Sequence, residues 1–255
     1  MEIFAEIDAW IALLTLTFLE IVLGIDNIVF ISIATGKLPK KQQRKGTNIG
    51  LLLAMIFRII LLFGVSYLIA MKKPWFTINS SWLTTEITGQ SIILILGGVF
   101  LLYKSTSEIH HKVEGTTKDA TTKKMASTLS KVIIQIVLID LVFSFDSVLT
   151  AVGMTNGTEG ALLIMVTAVI ISVLIMMIFA NPVGQFVNKY PTVQMLALSF
   201  LILIGFMLIT EGAHLANTVI FNNTVGAIPK GYLYFAIAFS LGVEALNMKI
   251  RKKRS

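Results

Sequence analysis

The stretch LEIVLGIDNIVFIS, Leu19 to Ser32, places Glu20 and Asp26 inside a run otherwise suited to hydrocarbon. A second stretch, LIDLVFSFDSVLTA from Leu138 to Ala151, sets Asp140 and Asp146 at the same spacing of six residues in the same surroundings. A charged group near the centre of a membrane helix costs about 2.5–3.5 kcal/mol even on the lenient insertion scale. Four ionised and unpaired carboxylates would cost on the order of 10 kcal/mol, so something must neutralise them.

The rest of the chain supports a membrane reading. Its 255 residues are 55% hydrophobic and only 14% charged, against about a quarter charged in an average soluble domain. Seven segments, near residues 9–34, 48–71, 87–103, 130–154, 160–181, 193–214 and 231–248, are each apolar enough to cross a hydrocarbon layer of about 30 Å. The opening MEIFAEID is acidic and lacks the basic flank of a signal peptide, so the first apolar segment is expected to be retained. There is no cysteine, which removes disulfides and thiolate metal or redox sites.

The net charge of +7 is explained by topology rather than by nucleic acid. Seventeen of the 21 Lys and Arg residues fall in KLPKKQQRKG, in Lys104–Lys131, at Lys189 and in the tail KIRKKRS, all on one side of a seven-span chain. Lys72, Lys73 and Lys230 are on the other, and Arg58 lies within a span. The positive-inside rule then puts the amino terminus outside and the carboxyl terminus in the cytoplasm. The basic tail suits membrane lipid headgroups.

Seven spans also accommodate a repeat. Glu20-x5-Asp26-Asn27-Ile28 aligns with Asp140-x5-Asp146-Ser147-Val148, GLLLAMIFRII from Gly50 resembles GALLIMVTAVI from Gly160, and LGGVFLL from Leu96 resembles LIGFMLI from Leu203. Repeats of three helices each must sit upside down relative to one another, the plan of many secondary transporters with midplane substrate sites. The expected organisation is a first repeat over 1–104, a cytoplasmic linker loop over 105–129, a second, inverted repeat over 130–216, and an outer loop, seventh helix and basic tail over 217–255.

Neutralisation could come from protons, basic side chains or a bound cation. Arg58 is the one deeply placed base, and a single guanidinium cannot cancel four carboxylates. Carboxylates crowded in a low dielectric hold protons more tightly, and a divalent cation pairs with two or more acids at once. The cluster therefore reads as a cation site whose empty state carries protons. Helical spacing puts Glu20, Gly24 and Asn27 on one stripe and Asp140, Ser144 and Ser147 on its counterpart, with Asp26 and Asp146 flanking them. Gly24 would permit a break in the first helix that frees carbonyls as ligands. Oxygen ligands favour hard ions such as Mn2+, Mg2+ or Ca2+.

The paired motifs EIVLGIDNIVF and DLVFSFDSVL, in a seven-span chain with a charged loop between its halves, resemble the TerC family of integral membrane proteins. That resemblance implies a bacterial cytoplasmic membrane protein related to manganese exporters, and a name drawn from tellurium resistance. Carried over by motif, it implies Glu20, Asp26, Asn27, Asp140, Asp146 and Ser147 as metal-binding and translocation residues.

Arg58 reads first as a structural counter-charge for one acid; the sharper expectation is a built-in surrogate cation that fills the cluster when the metal has left. Glu211 faces either the interface or the ion path, Glu244 and His214 read as interfacial or bland, and His110 and His111 have too few partners for a site. Met176 and Met177 read as packing or lipid-facing residues, and Trp75, Phe76 and Trp82 suit an interfacial aromatic belt. No GxxxxGK[ST] motif or nucleophile and base pairing is present, so neither an ATPase nor another enzyme is expected, and no organic cofactor. The function expected is a secondary transporter that exports Mn2+, with Mg2+ or Ca2+ as competitors, in exchange for protons. The alternative is a non-transporting membrane partner for metal loading or assembly of exported proteins, using the outward loops Lys72–Glu86 and Asn217–Lys230. A channel, with the acids lining a wet pore, is a further competitor.

Overall fold

The computed structural model describes residues 7–64, 67, 69, 71–114, 128–155 and 160–254. Side chains are described at all of these except 25, 26 and 252–254. Apolar stretches that must satisfy every backbone group internally become helices, and seven of them have the length and composition to span a membrane. They are α1 (Ile7–Thr35), α2 (Lys40–Phe63), α3 (Gly89–Glu114), α4 (Leu129–Met154), α5 (Ala161–Lys189), α6 (Pro191–Leu215) and α7 (Lys230–Arg254). The protein is thus an all-α membrane protein with seven such helices among the described residues.

The chain divides into two compact units that interleave in sequence: residues 1–72 with 124–188, and residues 73–123 with 189–255. The first unit contains α1, α2, α4 and α5. In it α2 lies along α4, where Ile136 packs against the missing side chain of Gly50. α5 runs along α1, bringing Met176 to Gly24, Gly184 to Ser32 and Asn188 to Gly36. α1 continues unbroken through Gly24, contrary to the helix break expected there. The space left by the absent Cβ holds the Met176 thioether instead, which agrees with the packing role expected of that methionine.

The second unit contains α3, α6 and α7. α3 and α6 are antiparallel and meet backbone to backbone. A Cβ on Gly98 would lie 2.5 Å from the Gly205 carbonyl oxygen, and one on Gly205 would lie 2.9 Å from the Gly98 carbonyl oxygen. Gly212 sits equally close to the Ser91 carbonyl. In lipid, helices associate through such close packing of small residues. Gly98→Val is therefore expected to lower the thermal midpoint of the purified protein by the equivalent of about 1–3 kcal/mol of overpacking, since neither backbone can yield as a flexible side chain would. A midpoint equal to that of the wild type would contradict this packing.

Two expected boundaries move. The third span was expected to end at 103, but α3 runs on to Glu114, with the i,i+4 pairs Lys104–Glu108 and His110–Glu114, each at 3.1 Å, supporting its polar end. Residues 115–127 of the expected linker lie outside the described residues. The outer segments expected as loops form a small antiparallel sheet instead: β1 (Pro74–Asn79), β2 (Leu83–Thr88), β3 (Val219–Ile220) and β4 (Asn223–Thr224), in the order β1-β2-β3-β4. Trp75 and Phe76 of β1 and Trp82 of the β1–β2 turn are exposed.

Candidate functional site

α1, α2 and α4 each contribute to one buried polar centre in the first unit. Two turns of α1 carry Glu20 and Asn27 to its inner face, and the same stripe logic on α4 supplies Asp140, Ser144 and Ser147. Glu20, Asn27, Arg58 and Asp140 are 2%, 4%, 3% and 6% exposed, so each has left solvent almost entirely.

Arg58 of α2 holds the centre together. Its Nη1 donates to Glu20 Oε2, its Nη2 donates to Asp140 Oδ1 at 3.0 Å, and its Nε donates to Ser144 Oγ at 2.9 Å. Ser144 Oγ in turn donates to Asp140 Oδ2 at 2.9 Å. The planar fork of a guanidinium suits this task better than an ammonium, because it serves three acceptors in fixed directions. The expected counter-charge for one acid is thus shared between two, from different helices.

Asn27 Nδ2 donates to Asp140 Oδ1 at 3.0 Å. A carboxylate can accept only the amide's N–H side, so the orientation of Asn27 follows from its partner. The Asn27 carbonyl oxygen is buried and has no hydrogen-bond partner among the described residues. Such an orphaned acceptor costs about 1–3 kcal/mol, and a cation beside it would remove that cost.

Counting the described groups, the centre holds two carboxylates and one guanidinium, a net charge of −1 if both acids are ionised. A divalent cation added alongside Arg58 would make it +1, whereas one that takes the guanidinium's place would make it neutral. In a low dielectric the neutral arrangement is favoured. Among the described residues no three His, Asp or Glu side chains converge as a metal-binding group. The Asp26 side chain lies outside those residues.

Of the other expected site residues, Ser147 is buried next to the centre, its hydroxyl donating to the Ser144 carbonyl at 3.2 Å. Asp146 is half-buried, and its main-chain carbonyl accepts the Thr150 hydroxyl at 3.0 Å. Gly24 packs against Met176. Glu211 is half-buried on α6, in the second unit. Glu244 accepts the Thr192 hydroxyl at 2.6 Å, and His214 Nδ1 is 3.2 Å from the Val225 carbonyl oxygen, a contact between the end of α6 and the segment after β4. What sequence reasoning missed was the orphaned Asn27 oxygen, because spacing does not reveal which polar atoms remain unpartnered.

Seven helices able to span a membrane, and a carboxylate, guanidinium and amide centre buried within the first unit, define a multi-pass membrane protein. The chain belongs to the integral membrane protein TerC family, whose model matches residues 5–255. It is 45% identical over 248 residues to UPF0053 inner membrane protein YgdQ of Escherichia coli (strain K12), covering 97% of this chain and 95% of that protein. It is 42% identical over 251 residues to a UPF0053 protein of Haemophilus influenzae, covering 98% of each. It is also 42% identical to UPF0053 protein YegH of Escherichia coli (strain K12), where the match takes in 97% of this chain but 43% of that longer protein. No solved structure matches the chain.

Proposed function

We propose that this protein is a secondary transporter that exports a divalent metal cation, Mn2+ before Mg2+ or Ca2+, in exchange for protons. The observation that carries the reading is the Glu20–Arg58–Asp140 centre with the unpartnered Asn27 oxygen at its edge. In this account Arg58 is the resident cation. An arriving metal displaces it, binds Glu20, Asp140 and the Asn27 oxygen, and is joined by Asp26, Asp146 and Ser147 as further ligands; protons release it on the other side.

An inverted repeat is supported by where aligned residues fall. Glu20 and Asp140, matched by the sequence alignment, meet on one guanidinium, and Gly98 and Gly205, also matched, meet backbone to backbone. Each repeat's second helix also lies along the first helix of the other, α2 on α4 and α5 on α1, with both pairs parallel. The charge distribution supports an amino terminus outside and a cytoplasmic carboxyl terminus.

The test is Mn2+ flux into proteoliposomes with and without a pH gradient, with Mg2+ and Ca2+ in competition, for wild type, Asp140→Asn and Asp146→Asn. Gradient-dependent flux in the wild type that is lost in both variants is expected. The partner-protein alternative draws on the exposed β1 edge with its aromatic side chains. Well-folded wild type that carries no cation would move the assignment to that alternative.

A further inference from the structure

At the end of the first unit opposite the basic loops, α1 and the end of α4 line an open cavity of about 260 Å3, with Asp8, Thr15 and Leu16 of α1 and Met154 and Thr155 among its walls. Thr155 begins a line that leads inward. Back along α4, Ala151, Ser147, Ser144 and Asp140 recur at steps of four, four, three and four residues, which places them on one stripe. All five are buried. None has a side chain larger than aspartate, and the stripe spans about 22 Å at 1.5 Å per residue.

A stripe of small residues alone would be helix packing, but here both ends and the middle carry polar features that packing does not need. Its outer end opens into a cavity with a carboxylate at the rim, Asp8. At the inner end lies the unpartnered, buried Asn27 oxygen. One turn before Glu20 on α1, the Thr17 hydroxyl is also buried with no partner among the described residues. The Ser147 and Thr155 hydroxyls donate to backbone carbonyls, which leaves their oxygens as acceptors for a passing cation.

Leu16 is the one large apolar side chain that both lines the cavity and shares a face with Glu20, four residues on. It is 1% exposed and stands one turn from Glu20 on the α1 face that runs from the cavity toward the centre. We infer that the α4 stripe from Asp140 to Thr155 is the cation's path between the buried centre and this cavity, and that Leu16 is the gate that closes it. The inference rests on the transport reading above and adds to it the route and the residue that controls it.

The chain contains no cysteine, so Ala151→Cys introduces a single thiol on the stripe, one turn in from Thr155. In proteoliposomes holding the full chain, labelling by a charged, membrane-impermeant methanethiosulfonate is expected to be slow with Leu16 in place. Adding Leu16→Ala is expected to speed it by at least about tenfold, the factor that roughly 1.4 kcal/mol represents. Leu16→Val, a smaller truncation, provides the same comparison if the alanine variant does not elute as folded protein. Ala151→Leu, which fills the stripe, is expected to abolish Mn2+ flux while Mn2+ binding to the solubilised protein persists. Labelling at one rate whatever stands at position 16, or flux undiminished in Ala151→Leu, would overturn the inference. A wild type that carries Mn2+ while labelling ignores Leu16 rejects the gate and leaves the transport reading intact. A wild type that carries no cation while labelling follows Leu16 rejects transport and leaves the gate.

Discussion

Arg58→Met is expected to be the most destabilising single substitution in the first unit. It removes the cation that Glu20 and Asp140 share and leaves two buried carboxylates without it. Removing one partner from a buried ion group typically costs about 3–5 kcal/mol, which corresponds to a fall in thermal midpoint on the order of 10 °C for a chain of this size. Added Mn2+ should restore part of that loss, because a ligand bound only by the folded state adds about 2.7 kcal/mol at a concentration of 100 Kd. Thermal unfolding of the purified variant, with and without Mn2+, checks both statements. An unchanged midpoint would mean that the carboxylates are compensated elsewhere.

Neutralising the whole centre is expected to separate stability from function. In Glu20→Gln/Arg58→Met/Asp140→Asn no buried charge remains among the three, and replacing a buried ion group by neutral residues of similar size is often neutral or stabilising. The triple variant should therefore unfold well above Arg58→Met and near the wild type. Its Mn2+ flux should nevertheless be absent, since the carboxylates that would hold the cation are gone. A purely structural ion group would show the same recovery of stability with no loss of flux. A variant as unstable as Arg58→Met would instead show that amide and thioether groups cannot pack in the space left by the ions.

Much of this centre is legible in the sequence, for a simple physical reason. Charges in an apolar run are too costly to be incidental, so Glu20, Asp140 and Arg58 stand out without any structure. What the sequence does not reveal is who pairs with whom: one guanidinium could have served either acid, and only the packing of α2 against α1 and α4 gives it to both. Gly24 was misread because the absence of a Cβ permits either a bend or a close neighbour, and Met176, far away in sequence, decides for the neighbour. The small sheet did leave a signal, since FTIN and LTTEIT are rich in β-branched and aromatic residues and flank the turn residues Ser80 and Ser81. The division into interleaved units was not legible, because helices adjacent in sequence, such as α2 and α3, belong to different units.

The central claim is that a metal cation takes the guanidinium's place between Glu20 and Asp140. The most direct measurement is the Mn2+ affinity of the purified protein, followed by the electron paramagnetic resonance of free Mn2+, for wild type, Arg58→Gln and Glu20→Gln. The account predicts tighter binding in Arg58→Gln, where the competing cation is gone, and loss of binding in Glu20→Gln. Equal affinity in all three would show that Mn2+, if bound at all, binds elsewhere and that the Arg58 centre is structural.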